Sequence, residues 1–153
     1  MAVTYIDYKD DKGFYIVEDA MELAFQYIYT ELKKEGEYTF TNKESLLQDA
    51  EYNVNGWCRG YLVLMWHAKL EGLPDEQEMI RLLEKIVSEL QEKGAYISVE
   101  EIHAFPSEAE DWKSFWHTPF PTKNLLNIFD ALIKMLKGEW ESTNYDMKID
   151  FNR

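Results

Sequence analysis

A chain with one thiol has one candidate for cysteine chemistry, Cys58, and the nearest imidazole belongs to His67. A nucleophilic pair needs the two groups within hydrogen-bond reach. Nine residues apart on one helical pattern, they point to opposite sides and cannot meet. Cys58 falls on an apolar stripe and reads as a core residue. His67, His103 and His117 stand on separate elements. Glu100-x-x-His103 has the spacing of half a di-iron carboxylate site, but Leu64 and Ser114 stand where the other glutamates would be. No metal set is assigned and no cofactor is expected. GxSxG, P-loop, GxGxxG, HExxH and CxxC patterns do not occur.

The distinctive stretch is 100–121. Glu100, Glu101, Glu108, Glu110 and Asp111 follow one another without an intervening Lys or Arg. Trp112, Phe115, Trp116 and Phe120 come directly after. On a short helix Trp112, Phe115 and Trp116 share one face. Either that face docks on the core while the acids meet water, or the segment is an acidic interface anchored by rings. Interfaces draw energy from buried aromatics and partner choice from charge. The candidate partner-binding set is Glu100, Glu101, Glu108, Glu110, Asp111, Trp112 and Trp116, with at least one accessible ring.

A second acidic pattern is Glu89-x-x-Glu92, then fifteen residues, then Glu108-x-x-Asp111. It resembles the ExxE…ExxD arrangement of the all-α nucleoside-triphosphate pyrophosphohydrolases. The resemblance covers four residues. It implies paired carboxylates on adjacent helices holding Mg²⁺ around a pyrophosphate. Glu92 lies opposite the apolar stripe of its own helix and Glu89 well off it, whereas ligands inside a bundle face inward.

The elements that position these groups are mostly helical. Val17, Ala20, Met21, Ala24, Ile28 and Leu32 predict a helix over about 17–34, stopped by Gly36. Thr41-x-x-Glu44 reads as a capping box opening a long central helix over 42–70. Its stripe, from Leu46 to Ala68, lies within an arc of about 120°. Gly56 and Gly60 on its other side suggest a close helix–helix contact, with a break at Asn55-Gly56 as the rival explanation. A third helix starts at Pro74 and ends at Gly94, and a fourth spans about 122–137. Ala95–Ile97 is extended. Ser98-x-x-Glu101 and Ser107-x-x-Glu110 each open a short helix. Val3–Tyr8 and Phe14–Ile16 flank Asp11-Lys12-Gly13 as a hairpin, and Glu37–Phe40 is a further strand candidate. Tyr145, Met147, Ile149 and Phe151 alternate with polar residues as a strand does. The expected fold is mainly α (α+β): four longer helices plus short ones around helix 42–70, with a small antiparallel sheet from the chain termini.

The 153 residues suit one domain, 1–153. Apolar residues make up 46% of the chain, too many for disorder. A single cysteine fits a reducing compartment. No apolar stretch has the length of a signal peptide or a membrane span. These features together predict a cytoplasmic protein. Sixteen Lys and Arg against 29 Asp and Glu give a net charge of −13, spread evenly. That charge repels nucleic-acid phosphate and anionic membranes, and attracts a basic protein. The expected function is therefore a small acidic binding protein, not an enzyme. It would occupy a basic partner as an immunity-type or phage-type inhibitor of a nuclease. The Mg²⁺-dependent pyrophosphohydrolase is the enzyme alternative, and a regulatory interaction module the third.

Overall fold

The computed structural model describes all residues except 1, 58, 59, 61 and 150–153. Cys58, Tyr61 and Phe151 therefore lie outside the described residues. The chain opens with a hairpin of β1 (Val3–Asp7) and β2 (Gly13–Val17), antiparallel from Val3↔Val17 to Asp7↔Gly13. Asp10 and Asp11 turn it in the left-handed region, at φ 56° and 57°. Aspartate tolerates that region, and a turn of this hand matches the twist of the flanking strands. Alternation sends Ile6, Phe14 and Ile16 into the core, while Tyr5 and Tyr15 stack outside at 4.6 Å. A methyl on Gly13 would stand 2.0 Å from Ile6 O, so this position admits no side chain.

Seven helices follow among the described residues. The core helix is α1 (Glu18–Leu32), buried on almost every side and packed on α2 (Lys43–Val54), α4 (Gly72–Gln91) and α7 (Thr122–Leu136). The expected central helix 42–70 is corrected: it stops at Val54. Asn55 caps it and Gly56 takes φ 73°, the left-handed stop that glycine permits without a Cβ clash. The chain then runs without regular structure through 62–65 into one turn, α3 (Trp66–Lys69). Gly60 also has positive φ, 85°, and beyond its chain neighbours no atom of the described residues lies within 4 Å of where its Cβ would be. Backbone conformation, not a helix–helix contact, calls for glycine there. The Thr41 capping box does not form either. Asn42 is the N-cap, and the Thr41 N–H and hydroxyl both donate to Asp75, each at 3.2 Å.

After α4 come β3 (Tyr96–Ile97), α5 (Val99–Ala104), α6 (Trp112–Phe115) and β4 (Phe120–Pro121). β3 and β4 pair antiparallel. The residues Glu37–Phe40 form a loop, with Tyr38 and Phe40 turned into the core. The C-terminal strand is shorter than its alternation suggests. β5 (Tyr145–Asp146) joins β2 in parallel, so the terminal sheet, ordered β1-β2-β5, is mixed. Chain direction decides this. α7 returns the chain beside the hairpin, where Ser142 O accepts the Gly13 N–H at 2.9 Å and Trp140 Nε1 donates to Gly13 O at 2.9 Å.

Candidate protein-interaction surface

The break after α2 creates an exposed aromatic pair. Past Asn55 and Gly56, Trp57 N–H returns to Tyr52 O at 3.1 Å. Its ring then meets Tyr52 edge-on at 5.3 Å. Trp57 is 52% exposed, Tyr52 39% and Val63 40%. Aromatic pairs this open on a surface mark interaction sites more often than isolated apolar residues do.

Described residues on either side of Trp57 are held by polar side chains. Glu18, Glu22 and Gln26 recur every fourth residue on α1, and all three are buried. Glu18 accepts the Gly60 N–H at 3.0 Å, and Gln26 Nε2 donates to Val54 O at 3.4 Å and Pro106 O at 3.0 Å. Asn53 Nδ2 donates to Val63 O at 3.5 Å, and the Thr4 hydroxyl donates to Leu62 O. Glu18 and Gln26 of the core helix thus hold Gly60 and Val54, on either side of the exposed Trp57.

The acidic segment docks against the same turn. Ser107 was expected to open a helix. Its hydroxyl instead donates to Val54 O at 2.7 Å and accepts the Ala109 N–H at 3.1 Å. Glu108 N–H donates to Asn55 Oδ1 at 3.0 Å. The chain stays irregular until α6. Ser98 does cap α5, accepting Glu101 N–H at 3.1 Å. Glu100, Glu108, Glu110 and Asp111 are exposed, and no cation of the described residues forms an ion pair with Glu100, Glu108 or Glu110. Glu101 is half-buried and engaged, accepting from Tyr27 OH and from Lys93 Nζ at 2.9 Å.

The rings expected to accompany these acids lie elsewhere. Trp112 and Trp116 are each only 3% exposed, and Phe115 is half-buried. α6 is a single turn, so positions four apart share a face, and that face turns inward. Trp112 Nε1 donates to Ile102 O at 3.0 Å, and Trp116 packs edge-on against Phe120 at 5.3 Å. Neither tryptophan is an accessible anchor. Tyr52, Trp57 and Val63 take that place, and sequence reasoning had put them on the packed helix 42–70. The signal that would have found them is Asn55-Gly56, which ends the helix and leaves Trp57 in a turn.

The remaining candidates are dispersed. Glu89, Glu92, Glu108 and Asp111 are not brought together, and no three His, Cys, Asp or Glu side chains cluster as metal ligands among the described residues. His103 Nε2 lies 2.6 Å from Trp116 O, while His67 and His117 are exposed. Among the described residues, no helix is long and apolar enough to cross a membrane. No protein-family model, curated protein or solved structure matches the chain.

Proposed function

We propose that this chain is a small acidic binding protein whose Tyr52–Trp57 face, beside Glu108 and Glu110, occupies a basic partner. The partner class proposed is a nuclease or other nucleic-acid-processing enzyme, held in the manner of an immunity-type or phage-type inhibitor. The observation that carries this reading is Trp57, half exposed next to a turn that the acidic segment itself clamps through Asn55 and Val54. A positioned ring supplies the desolvated anchor of an interface, and unpaired carboxylates beside it supply steering and register. An enzyme that grips phosphate must display a basic surface, the complement of this one.

The test uses the purified chain, immobilised, against an extract of its native host. A basic protein with nuclease activity should be retained, released by salt, and inhibited again when fresh chain is added. Trp57→Ala and the double variant Glu108→Lys/Glu110→Lys should each lose this retention and inhibition while staying folded. Equal inhibition by wild type and both variants would contradict the proposed surface. Failure to inhibit any retained nuclease would contradict the proposed function.

A further inference from the structure

Asn55-Gly56 ends α2 and is the one place in the sequence where an asparagine precedes a glycine. Such a pair carries a backbone reaction of its own. The main-chain nitrogen that follows an asparagine can attack the side-chain amide at Cγ. Glycine obstructs this attack least, because no Cβ crowds its nitrogen. Asn55 and Gly56 are both half-buried, so water reaches the pair. Asn55 Oδ1 already accepts the Glu108 N–H at 3.0 Å. That donor sits on the oxygen that gathers negative charge when Cγ is attacked, the arrangement that lowers such a barrier.

The folded turn holds the nucleophile away from the electrophile. Ring closure requires Asn55 Cβ to eclipse the Gly56 nitrogen. At the ψ of 0° that Asn55 adopts, its own main-chain nitrogen eclipses the Gly56 nitrogen instead. The Gly56 N–H is engaged by Asn53 O at 3.3 Å, and the Trp57 N–H by Tyr52 O at 3.1 Å. Both bonds must release before ψ can swing. Ser107 Oγ ties the same turn by donating to Val54 O at 2.7 Å. Gly56, at φ 73°, takes either sign of φ without strain and does not itself resist the swing.

We propose that Asn55 is a modification site, converted to isoaspartate in a reaction gated by this turn, and that the conversion is a one-way switch on the Trp57 surface. The Gly56 nitrogen bonds to Asn55 Cγ, the Cγ–Nδ2 bond breaks, and the Gly56 proton leaves with the nitrogen as ammonia. Water then opens the cyclic imide at the main-chain carbonyl of residue 55. One water is consumed, one ammonia is released, and nothing is oxidised or reduced. The main chain now runs through the former side chain, longer by one methylene, and the old main-chain carbonyl becomes a free carboxylate. The oxygen that held the Glu108 N–H is drawn into the new peptide link, so the acidic segment loses its register on the turn. The effect on a partner rests on the function proposed above, whereas the conversion and its gate do not.

The experiment incubates the full chain at mildly alkaline pH, folded and unfolded in urea. Conversion is scored by a gain of one mass unit in the peptide that holds residue 55 and by enzymatic methylation of isoaspartate. The folded chain should convert first at Asn55, about tenfold or more slowly than the unfolded chain, because the reaction waits for the turn to open. Ser107→Ala should speed the folded reaction several-fold and leave the unfolded rate unchanged. Asn55→Gln, which would have to close a larger ring, should abolish it. In the converted chain the Glu108 amide signal should move, as its acceptor is displaced. No conversion of Asn55 in the folded chain, or earlier conversion at another asparagine, would overturn the site. A folded rate equal to the unfolded one, or a Ser107→Ala rate equal to wild type, would overturn the gate. Equal retention of the partner by converted and unconverted chain would overturn the switch, whereas failure of the unconverted chain to inhibit any nuclease bears on the proposed function alone.

Discussion

Two regions of this protein treat the same excess of carboxylates in opposite ways. Where α1 meets α4 and the loop after α1, every central acid is met by a donor. Glu31, 2% exposed, accepts from Tyr38 OH at 2.7 Å, Lys34 at 2.9 Å and Lys85 at 3.1 Å. Asp75 accepts from Thr41 and from the Glu71 N–H at 2.8 Å. Glu76 takes Tyr8 OH at 2.6 Å, and Glu78 takes the Thr39 N–H at 2.8 Å. Glu108 and Glu110, by contrast, face water, with the Glu108 N–H held by Asn55 Oδ1 in the turn that precedes Trp57. A chain short of cations can still bury carboxylates if phenols and backbone amides donate to them. Acids left without such donors are then available to another molecule.

The two tryptophan environments separate most sharply. Trp112→Ala should destabilise by about 3–5 kcal/mol, because it empties a filled core site and removes one of the two donors to Ile102 O. Trp57→Ala should change stability by no more than about 0.5 kcal/mol. Urea unfolding of both variants checks the contrast. If Trp57→Ala destabilises as much as Trp112→Ala, the loop is core and the surface reading fails.

The acids should divide in the same way. Asp75→Ala removes the acceptor for several donors at a buried position and should cost about 2–3 kcal/mol. Glu110→Ala should be neutral within about 0.5 kcal/mol. Equal melting temperatures for these two variants would erase the distinction between structural and free carboxylates.

Titration gives a smaller, graded effect. Burial, followed by the adjoining Glu76, Glu101 and Glu31, raises the phenols of Tyr8, Tyr27 and Tyr38 well above their ordinary value. A group raised on folding contributes stability that is complete below its unfolded pKa. Stability should therefore fall as pH rises beyond about 10, where the unfolded phenols ionise first. Burial alone would raise Glu31, but hydrogen bonds from Tyr38, Lys34 and Lys85 outweigh it and hold the carboxyl below its usual range. The hydrogen bond from Arg81 likewise lowers Glu78. A lowered group contributes stability above its unfolded pKa, so a second loss should appear as pH falls below about 4.3. Tyr38→Phe should blunt the alkaline loss, and urea midpoints between pH 3 and 11 measure both limbs.

The fold was legible wherever one period persisted. The stripes of α1, α4 and α7 and the alternation of the first hairpin need only local spacing. The terminal sheet was legible as strands but not in direction, because parallel pairing of β5 depends on where α7 leaves the chain. The helix 42–70 misled because Trp57, Tyr61 and Leu64 continue the 3.6-residue spacing beyond the Asn55-Gly56 stop. A local backbone preference overrode that apparent periodicity. The acids of the candidate surface were readable from composition. The anchors were not, since whether Trp57 or Trp112 meets water depends on tertiary packing. The donors to Glu31, Glu76 and Glu101 were equally invisible, because two of those phenols lie far away in sequence.

The central claim is that free acids beside an exposed ring take a basic partner. Its most direct test is the association rate of the retained partner with wild type and with Glu108→Lys/Glu110→Lys. The salt range is about 50 to 500 mM, over which the Debye length shortens from roughly 14 to 4 Å. The account predicts a rate that falls steeply with salt for wild type, and a slower, flatter dependence for the reversed variant. Superimposable rates and salt slopes for the two proteins would contradict it.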